Sequence, residues 1–406
     1  MFSPASILLT WLRGLVALGI LAGALYLAYR WYDRLPTTQL IVRDSETNFI
    51  QTVPLNTFGD RFRAWHPKWD TTSAMFVGAL GLMGWSVTGR WVYPRLFRRA
   101  GSFDPNSGPR GEVVLLTRPD GTNLHVESFG ATSNPRIILT HGWGCDRKIW
   151  HYVIPHLIQR YRVVVWDLPG LGLSKQPANR DFSIAKMASD LRAVLDATGD
   201  QPAILVGHSI GGMITLTFCK IFPELLKSQI AGVSIAHSTY VNPLRTTRFS
   251  GLFTALEKPV IKPLLRISIV LSPLLRVLNY LSYLNGSAHR STAKESFAGN
   301  ETKGQLDFAS RYTITAPPAV IARGMLGMLE YDVAKALSNI NVPTQIVVGD
   351  MDSTTLPEAG RYMHGEISGS KLSELTPTKH LGFFEQHGRF NQLLGDFAAG
   401  CFSALK

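Results

Sequence analysis

The stretch Gly207-His208-Ser209-Ile210-Gly211-Gly212 decides the fold of this chain. It follows the apolar run Ala203–Val206, which is typical of a buried strand, and it opens a segment of helical periodicity that ends before Pro223. Glycines two positions before and two positions after a serine allow a sharp strand-to-helix turn. Such a turn holds the serine oxygen at the edge of a sheet, over a helix N-terminus. The sequence therefore predicts that Ser209 is a nucleophile.

Short apolar runs alternate with helical periodicity on both sides of this turn. One helix is predicted to begin at Ser183 as its N-cap and to end at Gly199. The predicted strands are Val113–Leu116, Leu124–Phe129, Ile137–Leu139, Val163–Trp166, Ala203–Val206, Ile230–Ile235, Gln345–Val348 and Leu372–Leu375. Continuous apolar strands that alternate with helices predict an α/β fold, with a mostly parallel sheet and helices on both faces.

A second motif, His141-Gly142-Trp143-Gly144, follows the strand that ends at Leu139. Its backbone can present a free N–H group above Ser209. The main-chain N–H groups of Trp143 and Ile210 are the predicted oxyanion hole, and one such donor is worth roughly 3–4 kcal/mol in the transition state. His141 is predicted to be structural.

Two further segments supply an acid and a base. Gly349-Asp350-Met351-Asp352 follows a strand, and we assign Asp352 as the acid because it lies beyond the tight turn at the strand end. Asp350 is the alternative, with capping of that turn as its more ordinary role. His380 is the predicted base, and His387, in a predicted helix, is its rival.

These motifs resemble the α/β-hydrolase family, in its lid-bearing esterase- and lipase-like branch, over about residues 112–403. The order Ser209, Asp352, His380 is the family's order of nucleophile, acid and histidine. The stretch Asp167–Ser174 is similar to an architectural loop of the family. Members that are epoxide hydrolases or dehalogenases use an aspartate nucleophile, so Ser209 argues against both. The resemblance implies no metal and no organic cofactor.

The alternation divides the chain into three parts. Residues 111–237 and 341–406 are the predicted hydrolase core, and residues 238–340 are the predicted helical lid. Within the lid, 260–284 is very apolar, and it is interrupted by prolines and by Lys262, Arg266 and Arg276. Such a lid covers the site, and a sharper interpretation is that its cations also lie on a bilayer surface.

Residues 1–110 are predicted to anchor the chain in a membrane through one or two transmembrane helices. From Ile7 to Tyr29 only Arg13 is charged, and the run reaches spanning length if Arg13 extends toward the headgroups. The second run, Ala74–Gly89, is marginally long and has a buried soluble helix or a re-entrant segment as alternatives. A cleaved signal peptide, cut after Ala22-Gly23-Ala24, is the alternative for the first run.

The charge and the cysteines narrow the class of protein. The net charge of +12 comes from residues 1–110 and 238–340, which carry +6 each and border long apolar runs. This placement favours an anionic membrane surface over nucleic acid. Arg95, Arg98 and Arg99 favour a cytoplasmic catalytic part on an inner or plasma membrane, but the five cations of the loop 31–73 nearly cancel this preference, so the side stays open. Three distant cysteines make a disulfide framework and a structural zinc site poor explanations.

Together these observations predict a membrane-associated serine hydrolase that cleaves a lipid-like acyl ester through an acyl-enzyme. The sequence does not display the leaving group, so an amidase, a thioesterase, an acyltransferase or a cofactor-free perhydrolase remains an alternative. A non-catalytic scaffold is the alternative from another class, and a complete set of catalytic residues argues against it. A fluorophosphonate probe separates that scaffold from an enzyme.

Overall fold

Two long helices form most of the N-terminal part of the protein. The computed structural model describes residues 3–43, 50–101 and 108–404. The N-terminal elements are α1 (Ser6–Asp33), β1 (Thr38–Arg43), β2 (Ile50–Pro54), α2 (Phe58–Ala64) and α3 (Thr71–Phe97). The two strands pair antiparallel. Helices α1 and α3 run in opposite directions, since Gly23 faces Leu82 and Gly78 faces Leu27.

Helix α1 is, in the part of the chain that the structure describes, the one helix long and apolar enough to cross a membrane. It has 28 residues and a mean hydropathy of 1.9 over its most apolar window. The predicted second run lies in α3, which has 27 residues. Its glycines, together with Ser86 and Thr88, make it less apolar than α1. Of the one or two spans expected, the described residues therefore support one.

An eight-stranded sheet follows the N-terminal part. Its strands are β3 (Glu112–Thr117), β4 (Asn123–Phe129), β5 (Arg136–Thr140), β6 (Arg162–Trp166), β7 (Ala203–His208), β8 (Ile230–Ala236), β9 (Thr344–Gly349) and β10 (Lys371–Leu375). Their order across the sheet is β10-β9-β8-β7-β5-β6-β4-β3. Strand β4 is antiparallel to both β3 and β6, and the other neighbours are parallel. The predicted parallel sheet is therefore confirmed, with an antiparallel edge.

Helices pack on both faces of this sheet. After residue 111 the helices are α4 (Val153–Leu157), α5 (Ile184–Ala197), α6 (Ile210–Ile221), α7 (Ser250–Leu256), α8 (Lys262–Val270), α9 (Ser272–Leu284), α10 (Ser287–Ser296), α11 (Lys303–Thr315), α12 (Pro318–Leu329), α13 (Pro357–Glu366), α14 (Gly382–Glu385) and α15 (His387–Ser403). Along β7, Leu205 joins the apolar layer of α5 and α6, while Ile204 and Val206 join the layer of α15. Both faces are covered, which explains why the strand is apolar at every position.

Helices α7 to α12 occupy the predicted lid segment between β8 and β9. Pro273 lies in the first turn of α9, where a missing N–H costs no helical hydrogen bond, whereas Pro263 follows the π-helical turn Glu257–Ile261 that leads into α8. The cation Lys262, predicted to face headgroups, instead pairs with Glu330 at 2.8 Å and Glu257 at 3.2 Å. Lys262 is thus engaged in ion pairs within the protein, whereas Arg266 and Arg276 are exposed.

The first turns of α1 pack against the lid. Trp11 Nε1 donates a hydrogen bond to Ser268 Oγ at 2.9 Å. Gly14 lies so close to α9 that a Cβ there would be 2.6 Å from the Cβ of Leu278. Arg13 is only 9% exposed, so the expectation that it extends toward headgroups is wrong. The side chain turns into the lid because hydrogen-bond acceptors are available there, as described below.

Candidate active site

The turn around Ser209 is strained and closely packed. Ser209 joins β7 to α6 with φ +54° and ψ −120°, a conformation that costs a non-glycine residue free energy. A Cβ on Gly207 would lie 2.2 Å from the carbonyl oxygen of Gly211. A Cβ on Gly211 would lie 2.2 Å from the carbonyl oxygen of Thr140. The two glycines of the motif are therefore required by the close backbone approach that presents the serine.

The structure brings together the three residues predicted from the sequence. His380 Nε2 lies 3.0 Å from Ser209 Oγ, and His380 Nδ1 lies 2.7 Å from Asp352 Oδ2. The residues come from three separate loops, after β7, β9 and β10. Asp352 is 2% and His380 is 1% exposed, while Ser209 is half-buried. The arrangement lets the imidazole take a proton from the hydroxyl while the carboxylate holds its orientation.

Asp352 is held as an acceptor on both oxygens. Its Oδ1 accepts hydrogen bonds from the N–H groups of Thr354 at 2.8 Å and Thr355 at 3.1 Å. Its Oδ2 accepts from the Thr355 hydroxyl at 2.9 Å as well as from His380. Burial opposes the charged form, but the adjacent His380, with the nearby His237, holds the pKa of Asp352 well below its usual range. The carboxylate is therefore ionised at neutral pH.

The two rival residues lie elsewhere. Asp350 Oδ1 accepts a hydrogen bond from the N–H of Thr378 at 2.9 Å, which is the turn-capping role considered for it. The ring of His387 stacks on Tyr152, with centroids 3.9 Å apart, at the start of α15. Neither residue contacts His380 or Ser209 in a hydrogen bond among the described residues.

The two predicted oxyanion donors are free. Among the residues that the structure describes, no acceptor takes a backbone hydrogen bond from the N–H of Trp143 or Ile210. The Trp143 indole donates to the carbonyl oxygen of Ile321 at 3.0 Å, which fixes this loop against α12. His141 has the structural role expected: its Nε2 accepts from the N–H of Leu168 at 3.0 Å. Burial lowers the pKa of His141, which keeps the ring neutral.

The loop from Asp167 to Ser174 is joined by hydrogen bonds to Arg147, which follows the His141–Gly144 motif. The Asp167 carboxylate accepts from the backbone N–H and the guanidinium of Arg147 and from the N–H of Leu173. A Cβ on Gly172 would lie 2.3 Å from that carboxylate. These contacts explain why the loop needs its aspartate and its glycine, and they give it an architectural role.

Sequence reasoning missed three buried neighbours of the site. The Thr355 hydroxyl, which donates to Asp352, also lies 3.3 Å from His380 Nδ1. His237 Nδ1 lies 3.4 Å from Asp352 Oδ2, and His208 Nε2 lies 3.0 Å from the carbonyl oxygen of His380. A signal for His237 was present, since it directly follows β8 and so reaches the same sheet edge as Ser209. Burial lowers the pKa of both His208 and His237.

A small cavity, with about 30 Å³ of space for water-sized groups, borders the site, and α1 forms one of its walls. Trp143, which carries a predicted oxyanion donor, and Leu381, which follows His380, line it from the hydrolase side. Thr10 and Arg13 line it from α1. This contribution of the N-terminal helix was not foreseen, because no local pattern tells which distant element a helix will contact.

Residues 135–386 match the family model described as the alpha/beta hydrolase fold. The chain belongs to this family. It is 26% identical over 272 residues to the pimeloyl-acyl-carrier-protein methyl ester esterase of Neisseria meningitidis, covering 65% of this chain and 93% of that protein. The predicted family, fold and enzyme class, a hydrolase acting on ester bonds, are thereby confirmed.

Solved structures share the fold. An esterase from Thermogutta terrifontis superposes with a TM-score of 0.58 at 22% identity, covering 72% of this chain and 99% of that one. A bacterial membrane phospholipase A superposes with a TM-score of 0.56 at 20% identity, covering 72% and 86%. At such identities the likeness concerns the fold alone.

Proposed function

We propose that the protein is a membrane-anchored serine esterase that cleaves lipid-like acyl esters. The observation that carries the proposal is the continuous contact from Ser209 Oγ through His380 to Asp352, at 3.0 and 2.7 Å. Relatives that act on esters, such as the Neisseria esterase, support ester hydrolysis over the amidase, thioesterase, acyltransferase and perhydrolase activities considered above.

In the proposed mechanism, Ser209 Oγ attacks the ester carbonyl while His380 Nε2 takes the hydroxyl proton. The N–H groups of Trp143 and Ile210 stabilise the oxyanion of the tetrahedral intermediate. His380 then gives the proton to the leaving alcohol, and an acyl-enzyme remains on Ser209. Water, activated by His380, attacks this ester and releases the acid. Asp352 holds the His380 tautomer throughout and stabilises the imidazolium.

Apolar surface on α1 and the lid supports the membrane part of the proposal. Large apolar side chains are exposed on α1, α3, α8 and α9, among them Leu15, Val16, Leu18, Leu25, Val77, Leu80, Ile267, Val270, Leu274 and Val277. Because α1 packs on α9, the exposed side chains of these two helices belong to neighbouring surfaces. Apolar surface of this extent is typical of a membrane contact or another interface. A substrate that partitions into the bilayer would reach the lid without crossing water.

The helix ends suggest how the anchor is oriented. The start of α1 and the end of α3 both contact the lid, through Gly14 on Leu278 and Gly89 on Asn285. Residues after Arg13 give α1 about 20 residues for the bilayer, near the usual requirement. Because α3 runs antiparallel to α1 and returns to the lid, this orientation requires α3 to cross the bilayer as well, although only α1 meets the hydropathy requirement among the described residues. Arg95 lies at the lid-side end of α3 with Arg98 and Arg99. By the positive-inside rule, we propose that the catalytic part faces the cytoplasm.

Hydrolysis of p-nitrophenyl esters of increasing chain length tests the proposed chemistry. The full chain in detergent micelles should hydrolyse these esters, with preference for longer chains. Ser209→Ala should lower kcat by about 10⁶-fold, as for a triad serine. Ser238→Ala is a matched control, because this nearby hydroxyl donates to the Ser209 carbonyl oxygen and takes no chemical role. Full activity in Ser209→Ala would refute the mechanism, and a preference for the shortest ester would refute the lipid-like substrate.

Carbonate extraction tests the anchor. The full chain should stay with the membrane after salt and carbonate washing, and its intact mass should include residues 1–24. Leu18→Asp places a charge on an exposed position of α1 and should make the protein extractable, since a mid-helix charge costs about 3 kcal/mol to insert. Recovery of a soluble protein that begins at Leu25 would show that α1 is a cleaved signal peptide.

A further inference from the structure

Arg13 is the one charged residue between Ile7 and Tyr29, and its guanidinium lies between α1 and the lid. Its Nη1 donates to Ser291 Oγ at 3.0 Å, and its Nη2 lies 3.5 Å from Asn279 Oδ1. Its Nε is buried and has no acceptor among the described residues. Both partners are neutral, and no ion pair joins Arg13 to a carboxylate in ranges 3–43, 50–101 and 108–404.

The cavity that Arg13 lines has a wall of mixed polar and apolar character. Its wall includes hydroxyl groups from α1, α10 and α11, namely those of Ser6, Thr10, Ser291, Thr292 and Thr313. The hydroxyls of Ser6, Thr10, Ser291 and Thr313 each donate to a backbone carbonyl oxygen, so their own hydrogen-bond donors are already satisfied. Trp143 and Leu381 also line the cavity, so a polar group bound there would lie close to the reacting ester.

One acidic residue, Glu295, also lines this cavity. It is half-buried, and burial raises the pKa of its carboxyl group, although the positive charge of Arg13 acts in the opposite direction. It makes no ion pair with Arg13 among the described contacts. A buried cation without a close anion is costly for a folded protein. Arg13 and Glu295 thus attract each other without a direct ion pair, and the Nε of Arg13 keeps an N–H group with no acceptor among the described residues.

We propose that Arg13 binds an anionic oxygen group, a phosphate or a carboxylate, that the ester substrate carries close to its scissile bond. The proposal rests on the esterase function argued above. A guanidinium suits this task because its planar N–H groups match the oxygens of either group, and charge-assisted hydrogen bonds of this kind are strong. The N-terminal helix is then part of the substrate site as well as the anchor.

Two matched pairs of esters test this proposal on the full chain in detergent micelles. The first pair is 1-acylglycerol 3-phosphate and the 1-acylglycerol of the same acyl chain. The second is the mono-p-nitrophenyl ester of a dicarboxylic acid and the p-nitrophenyl ester of the corresponding monocarboxylic acid. Arg13→Gln should raise KM by about 10- to 100-fold for the anionic member of one pair. The neutral members should change by less than about threefold. The pair that responds distinguishes a phosphate group from a carboxylate.

Glu295→Gln is the opposite control, because it removes from the cavity a carboxyl group that would repel an anionic substrate group. It should leave KM for the anionic ester unchanged or lower it. Arg13→Lys should keep part of the preference for the anionic ester, since it keeps the charge without the planar fork. If thermal unfolding shows that Arg13→Gln does not fold, the other two variants still test the proposal. KM for the anionic ester should then rise in Arg13→Lys and stay unchanged or fall in Glu295→Gln.

Equal losses on neutral and anionic esters in Arg13→Gln would overturn the proposal and leave Arg13 as a contact between α1 and the lid. No change in either pair would also overturn it. Hydrolysis of the neutral esters by the unsubstituted chain, and its loss in Ser209→Ala, reports on the esterase function separately. Normal neutral hydrolysis with an unchanged anionic preference would therefore refute only the role of Arg13.

Discussion

Replacing Asp352 by asparagine should reverse the tautomer of His380. Asp352 Oδ1 accepts from two backbone N–H groups, those of Thr354 and Thr355, which only an oxygen can satisfy. In Asp352→Asn the amide oxygen must stay on that side, so the NH₂ group takes the place of Oδ2, 2.7 Å from His380 Nδ1. His380 Nδ1 then becomes the acceptor. The ring proton moves to Nε2, which faces Ser209 and cannot serve as a base.

The expected loss is about 10⁴-fold in kcat, the cost of the wrong tautomer in a comparable triad. This corresponds to about 5 kcal/mol in the activation free energy. Asp350→Asn is the matched control, because an amide oxygen can still accept the hydrogen bond from the N–H of Thr378. It should change kcat by less than about threefold.

Steady-state hydrolysis of one p-nitrophenyl ester, with far-UV circular dichroism of each variant, makes this comparison. A larger loss in Asp350→Asn than in Asp352→Asn would move the acid to Asp350. Small losses in both would refute the reasoning that a carboxylate sets the His380 tautomer.

Two further predictions concern packing and pH. Gly211→Ala forces a Cβ to within 2.2 Å of the Thr140 carbonyl oxygen, so it should destabilise the fold by about 1–3 kcal/mol and lower activity. A Cβ on Gly400 in α15 would meet nothing within 4 Å, so Gly400→Ala should change neither stability nor activity. Equal unfolding temperatures for the two variants would contradict this account. Burial lowers the pKa of His208 and His237, so the unfolded chain binds more protons than the native state below the ordinary histidine value of about 6.5. The unfolding temperature should therefore fall from pH 7.5 to 5.5, and less steeply in His208→Gln; a pH-independent unfolding temperature would contradict the burial of neutral histidines.

The positions of the core strands along the chain and the convergence of the candidate site residues followed from local patterns. Parallel strands end at one sheet edge, so motifs that follow β5, β7, β9 and β10 had to converge, whatever their separation in the chain. The choice between Asp350 and Asp352 rested on loop position alone, and in the structure Asp352 is the residue that contacts His380.

Contacts between distant elements could not be predicted in the same way. Arg13 and Lys262 were both expected to reach lipid headgroups, but each has acceptors within the protein, on α10 and on Glu330. A hydropathy pattern shows that a charge interrupts an apolar run without showing what lies opposite it. Thr355 was missed for a related reason, since a loop threonine has no periodicity that would link it to a catalytic histidine.

Fluorophosphonate labelling, followed by peptide mapping on membranes that contain the full chain, tests the central claim most directly. A serine whose proton is taken by His380 should attack the probe, and the account predicts one labelled peptide, which contains Ser209. Ser209→Ala should show no label, and Asp352→Asn should label far more slowly. A label on another residue, or undiminished labelling in Ser209→Ala, would contradict the claim that Ser209 is the nucleophile.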